Sequence, residues 1–201
     1  MALYKIDPLL FLTRECYTLD QHGGAIELFP REKYLEFLVD AWQREPLIIL
    51  MKSRQMLCTW LFSLLYLWWA MFTQGKLVFF QSKKLEDAVG DENAATGPLG
   101  RAKFTYNRMP DAIKNRFPCR ITETKMVFPR SHSTIWAIPQ GADVIRQHTV
   151  AGIFSDEVAF QNEFEGAYTA LMPAIQGGGR ATFVSTAELG FAWDLFIDRV
   201  E

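Results

Sequence analysis

Leu47-Ile48-Ile49-Leu50-Met51-Lys52-Ser53-Arg54-Gln55-Met56-Leu57-Cys58-Thr59 is the stretch on which the fold turns. Pro46 ends what precedes it, the apolar run 47–51 reads as a buried strand, and the uncharged run from Met56 to Phe72 reads as a helix. Strand, short loop and helix with a hydroxyl at its start is the setting of a phosphate-binding loop, G-x-x-x-x-G-K-[ST]. The hydroxyl is kept as Thr59. Cys58 takes the lysine position, and Lys52 and Leu57 take the two glycine positions. The candidate loop is therefore Lys52, Ser53, Arg54, Gln55, Met56, Leu57, Cys58 and Thr59, with its lysine at the opposite end. Lys52 can neutralise phosphate charge if its flexible stem folds back across the loop, and Arg54 is a second cation. Thr59 can place its hydroxyl on a metal ion, and the helix points its positive end at the phosphates. Leu57 stands where the backbone turns tightly, so strain is expected there. Cys58 also reads as a small buried apolar residue.

The same punctuation continues outward. Glu32 to Arg44 carries Tyr34, Leu35, Leu38 and Trp42 at helical spacing, while residues 1–28 show weak periodicity and a His22-Gly23-Gly24 turn. Gly75 stops the apolar helix. Lys76 to Phe80 reads as a strand, with Ser82 as the cap of a following helix, and 90–101 reads as a loop. Lys125–Phe128 and Ser133–Ile138 flank a Pro129-Arg130-Ser131-His132 turn, the pattern of a hairpin. Val150 to Phe154 is a further strand, ending at Ser155-Asp156-Glu157. After a helical stretch and Gly177-Gly178-Gly179, Ala181 to Val184 is a last strand, ending at Ser185-Thr186. Strands alternating with helices predict an α/β fold, a mostly parallel sheet with helices on both faces. Ligands of such sheets sit at the carboxyl ends of the strands. Three of those ends carry polar chemistry here: 52–59, 155–157 and 185–186.

An aspartate at the end of an apolar strand can hold Mg2+, and an adjacent glutamate can deprotonate an attacking water. Asp156 and Glu157 have this arrangement, although many strands also end in acids at a turn. Ser185 and Thr186 read either as sensors of a terminal phosphate or as hydroxyls capping a strand. Other chemistries find little support. His22, His132 and His148 have no ligand spacing with Cys or Asp, and three scattered cysteines suggest a reducing compartment, not a disulfide framework or a zinc site. The net charge of −2 excludes a polycation, so nucleic-acid contact requires a local patch. Residues 101–130, with eight Lys/Arg against Asp111 and Glu123, are either that patch or a solvated face. The run 56–72 is slightly short for a membrane span of roughly 20 residues, and reads as a helix buried on nearly all sides.

Together these motifs resemble the ATPase domain of the large terminase subunit of tailed bacteriophages, some members of which carry the loop lysine first, as at Lys52. Lys-Ser-Arg-Gln-Met-x-x-Thr-Trp (52–60) is the most specific part. Ile153 to Phe160 looks like the family's acidic motif, and Phe183 to Gly190 is similar to its coupling motif, with Ala187 in place of proline. The resemblance spans about residues 28–200. It implies a P-loop NTPase fold of the ASCE type in one ATPase domain over 1–201, with about 1–28 as an N-terminal extension. ATP and Mg2+ would be cofactors, with Lys52, Glu157 and Arg146 catalytic. Thr59 and Asp156 would be metal-binding, and Ser185 and Thr186 would couple turnover to movement. Arg146, in Asp143-Val144-Ile145-Arg146-Gln147, corresponds to the arginine finger offered to a neighbouring subunit, with Gln147 replacing a glycine. The adenine-contacting glutamine falls near 18–44, with Gln21 and Gln43 as candidates. The partners implied are double-stranded DNA, the portal protein, the small terminase subunit and further copies in a ring on the procapsid, in the host cell cytoplasm and without a membrane. The family's C-terminal nuclease domain is not within this chain, so no DNA cleavage is expected from it. A helicase-like ATPase and a degenerate nucleotide-binding assembly domain are the alternatives.

Overall fold

Pro46 leaves the run Leu47–Met51 free to pair, and its neighbours in the sheet are the other apolar runs. A computed structural model of the chain describes residues 2–20 and 23–198; Gln21, His22 and 199–201 lie outside the described residues. Two helices, α1 (Ala2–Ile6) and α2 (Pro8–Glu15), precede a hairpin of β1 (Tyr17–Leu19) and β2 (Ile26–Leu28) and then α3 (Lys33–Arg44). The main body runs β3 (Leu47–Met51), α4 (Cys58–Phe72), β4 (Leu77–Gln81), α5 (Leu85–Val89), α6 (Pro98–Arg108) and α7 (Asp111–Arg116). It continues through β5 (Arg120–Ile121), β6 (Lys125–Phe128), β7 (Ser133–Ile138), α8 (Asp143–Arg146), β8 (Gly152–Asp156), α9 (Phe164–Gln176), β9 (Arg180–Ser185) and α10 (Phe191–Asp198).

The main sheet has seven strands in the order β3-β9-β8-β4-β7-β6-β5. The first five pair in parallel, and the β6–β7 hairpin and β5 add antiparallel strands at one edge. Side-chain alternation along each strand separates two apolar layers. Val78, Phe80, Phe154 and Val184 point into one layer with α2, α3, α4 and α6. Phe79, Ile153, Ala181 and Phe183 point into the other with α9 and α10. This is the expected α/β sheet covered on both faces. Inserting β9 between β3 and β8 sets the loop strand, the Ser185 strand and the acidic strand side by side.

α4 is buried on nearly every side because the sheet lies beneath it and α2, α3 and α6 pack around it. At ~1.5 Å per residue its length is about 22 Å, and among the described residues no helix is long and apolar enough to cross a membrane. Polar groups along α4 are matched. The Tyr66 hydroxyl donates to the Ile153 carbonyl at 2.8 Å and lies 3.1 Å from the Thr182 hydroxyl. The Trp68 indole donates to the Tyr4 carbonyl at 2.6 Å.

The N-terminal extension packs on the main body: Phe11, Leu12 and Cys16 are fully buried in the larger core, and the Phe11 ring meets Phe72 edge-on at 5.3 Å. Other expectations are corrected. Ser82 does not cap a helix; α5 starts after Lys84, with no side-chain cap. The 90–101 loop is shorter than expected, since Pro98 is not a breaker but the first residue of α6, where its missing N–H costs nothing. The basic stretch 101–130 is not one continuous face. Phe104 and Tyr106 are core residues, and the Lys103 ammonium is buried, donating to the Glu123 carbonyl at 2.7 Å.

Candidate functional site

The carboxyl ends of β3, β9 and β8 meet in register, with Met51 opposite Ser185 and Val184 opposite Asp156. The chain leaves β3 still tied to β9, as the Lys52 amide donates to the Ser185 carbonyl at 2.9 Å. It then turns through two left-handed residues, Gln55 at φ 63° and Leu57 at φ 52°, before α4 begins. The second glycine position of the motif therefore does hold a left-handed backbone, occupied by leucine. Lys52, at the first glycine position, is not left-handed, so replacing that glycine carries no such strain. Cys58 has the packing role, with 3% exposure, its thiol donating to the Met56 carbonyl at 3.3 Å and its pKa raised to about 11, chiefly by burial. Ser53, Arg54 and Gln55 are exposed on the loop.

The Lys52 side chain does not lie back over the loop. It crosses to β8, where its ammonium meets Glu157 Oε1 at 2.8 Å. Glu157 is itself left-handed, at φ 53°. Its other oxygen, Oε2, accepts from the Thr186 amide at 3.1 Å, the Thr186 hydroxyl at 3.0 Å and the Ser185 hydroxyl at 3.4 Å. Burial alone would push the Glu157 carboxyl up, but the Lys52 ammonium and the Thr186 donors outweigh it and hold it below the ordinary glutamate range. Ser185 reaches further and accepts from the Ala159 amide at 3.1 Å. Ser185 and Thr186 thus both donate to Glu157 and do not merely finish a strand.

Asp156 is buried, and one of its oxygens, Oδ1, has no hydrogen-bond partner. Burial raises its pKa, against the opposing pull of Arg101, while Glu157 adds to the rise and Lys52 and a hydrogen bond from Thr59 lower it. A buried carboxylate with a vacant lone pair beside a threonine hydroxyl fits Mg2+, a hard ion that takes few protein oxygens and fills its octahedron with water and phosphate. The β8 terminus is fixed by amides that the sequence reading overlooked. Gln161 donates to the Ser155 hydroxyl and the Asp156 carbonyl, each at 2.9 Å, and Ser155 donates to Gln81, which anchors on the Pro139 and Gly141 carbonyls. Gln81 ends β4 beside these strands, and that polar strand end was the available signal.

Two hollows open onto the site. A cleft of about 640 Å³ is lined by Arg54, Arg101, Asp156, Glu157 and Thr186. A cavity of about 440 Å³ runs from Leu19 and Asp20 along 55–60 to the same Arg101. Arg101 belongs to both, and nothing in its sequence setting distinguishes it from the other basic residues of 101–130. Arg146 is not brought to this site. It is exposed and lines a separate cavity of about 620 Å³ with Lys76, Ala151 and Gly177 to Gly179, at the amino ends of the strands. His148 packs edge-on against Trp136 and Phe79, His132 sits in the exposed hairpin turn, and among the described residues no group of His, Cys, Asp or Glu is arranged as a multi-ligand metal cluster.

No family model and no curated protein sequence matches this chain. Solved structures do. The large terminase of bacteriophage HK97 is similar at a TM-score of 0.68 and 14% identity, over 98% of this chain and 41% of that one. The large terminase ATPase domain of Thermus phage P74-26 is similar at 0.64 and 13% identity, over 84% of this chain and 70% of that one. A large terminase from a thermophilic bacteriophage, solved in complex with ADP, is similar at 0.51 and 19% identity, over 77% of this chain and 39% of that one. The chain has the α/β fold of these ATPase domains and spans about two-fifths of the HK97 protein's length.

Proposed function

We propose that this chain is the ATP-hydrolysing motor domain of a terminase large subunit, working on double-stranded DNA. The observation that carries the reading is the convergence on Glu157 at the end of β8, where residues from two neighbouring strand ends (Lys52 after β3, Ser185 and Thr186 at β9) all bind one carboxylate next to the Thr59–Asp156 pair. A helicase-like ATPase would share the paired acids, but likeness to a large terminase over 98% of the chain favours the packaging motor. A degenerate assembly domain would have no use for a carboxylate held by four donors.

In this reading Lys52, Arg54 and the amides of 53–59 hold the phosphates, and Thr59 and Asp156 hold Mg2+. Bound there, Mg2+ would neutralise charge developing on the phosphate oxygens. Glu157 accepts the proton of the attacking water. Its carboxylate is a weak base while the Lys52 ammonium is on it, so exchange of Lys52 from Glu157 to phosphate raises its basicity as the substrate settles. Ser185 and Thr186 feel that change at Oε2 and pass it along β9. Arg146, at the far end of the strands, serves a neighbouring subunit and not its own site. The portal protein, the small terminase subunit, the procapsid-bound ring and the host cytoplasm belong to the same proposal.

The test pairs binding with turnover. Glu157→Gln is expected to keep binding of a fluorescent ATP analogue while ATP hydrolysis falls at least a hundredfold, in the range of general-base loss, roughly 10²–10⁴. Lys52→Ala should impair binding or turnover far more than Cys58→Ala. Undiminished hydrolysis by Glu157→Gln would remove the assigned base.

A further inference from the structure

The position where the motif places its lysine is the buried Cys58, and in this structure the displaced Lys52 is paired with Glu157, which leaves the exposed Arg54 as the loop's other cation. Phosphoryl transfer depends on charge neutralisation, so another cation is to be sought within reach of the loop.

Arg101 is in that place. It sits in the first turn of α6, and its guanidinium lies 5.5 Å from the centre of the Trp60 ring, on the first turn of α4. It borders both the cavity along 55–60 and the cleft holding Asp156 and Glu157. It is half-buried, its Nε is shielded from solvent without a hydrogen-bond partner, and among the described residues it forms no ion pair within 4.0 Å. Leaving a buried guanidinium N–H without an acceptor is costly, and the loss is recovered when an anion accepts from it. The backbone behind it is built to hold it there. A Cβ on Gly90 would lie 1.9 Å from the Thr96 carbonyl oxygen, and one on Gly100 would lie 2.8 Å from that of Asp91. Only glycine lets the 90–97 turn close against α6 and present Arg101 to the cleft.

We propose that Arg101 is a phosphate ligand of the nucleotide site, supplying from α6 the cation that Cys58 does not. This rests on the nucleotide-binding reading above. Asp156 is the group with which Arg101 otherwise interacts, so a ligand role must be separated from an effect relayed through that carboxylate.

Titration of a fluorescent ATP analogue into the wild-type chain and its variants, with Mg2+ and with EDTA, makes the separation. Arg101→Gln is expected to weaken binding about tenfold to a hundredfold, the size of a charge-assisted hydrogen bond to phosphate. The loss should appear with and without Mg2+, should persist in an Asp156→Asn background, and should be partly recovered by Arg101→Lys. Arg101→Met, which keeps the stem, is the second variant should Arg101→Gln fail to fold. Wild-type affinity in both charge-removing variants would overturn the proposal, as would a loss that vanishes in EDTA or in the Asp156→Asn background. A wild-type chain that binds no nucleotide would instead overturn the nucleotide-binding reading, and this assignment with it.

Discussion

Leu57 offers a test of the loop geometry that reverses the usual rank of two residues. Its backbone is left-handed, at φ 52° and ψ 9°, where a Cβ crowds the following carbonyl. The crowding costs an L-residue roughly 1–2 kcal/mol, and glycine is spared it. Leu57 also packs partly against the main core, so both Leu57→Ala and Leu57→Gly lose side-chain contact and both fall below wild type. Comparing the two truncations with each other removes that shared loss. Alanine keeps the left-handed strain, while glycine gives up about 0.4–1 kcal/mol through the greater freedom of its unfolded chain. The difference leaves Leu57→Gly the more stable by ~0.5–1 kcal/mol, about 1–4 °C in Tm for a chain of this size. At an ordinary helical position such as Ala170 in α9, substitution by glycine instead lowers stability by roughly 1 kcal/mol. Urea unfolding of the variants, followed by circular dichroism, measures both signs. If Leu57→Ala proves as stable as Leu57→Gly or more so, residue 57 is not left-handed, and the reading of 52–59 as a phosphate loop loses its geometric support.

Two further outcomes follow from the same geometry. The Glu157 pKa is lowered on folding, so the ion pair contributes stability above the ordinary glutamate pKa and loses it as pH falls through the lower folded value. Urea unfolding between pH 7 and pH 3 should therefore show a smaller acid-side loss for Lys52→Met than for wild type, and identical pH slopes would mean that the two groups do not interact. For Arg146, mixing an Arg146→Ala chain with a Glu157→Gln chain should restore some hydrolysis, because one subunit supplies the finger and the other the base. A demonstrably mixed oligomer with no recovered activity would deny Arg146 that role.

The sequence was most legible where the deciding interactions are local or purely apolar. Leu47–Met51 and the β6–β7 hairpin were readable at their observed ends because apolar runs bounded by proline or a short turn have few other ways to fold. The strain at Leu57 was readable because the motif itself demands a left-handed turn there. Pro98 misled because proline punctuates loops as often as it opens helices, and only the Gly90–Gly97 turn closing on α6 settles which. The burial of Phe11, Leu12 and Cys16 was not legible because it depends on packing against distant helices such as α4, whose surface the local periodicity does not reveal.

By itself, then, the sequence determined the α/β alternation, the three polar strand ends and the residue types that phosphate chemistry needs, since each is set by neighbours a few positions away. The tertiary structure decided their relations. Lys52 and Glu157 are 105 positions apart, and they meet only because β9 enters the sheet between their strands. Arg101 became part of the site, and Arg146 was sent to the opposite end of the sheet, for the same reason. Strand order and helix packing are chosen by the burial of whole apolar faces, and no local pattern around a single charged residue encodes them.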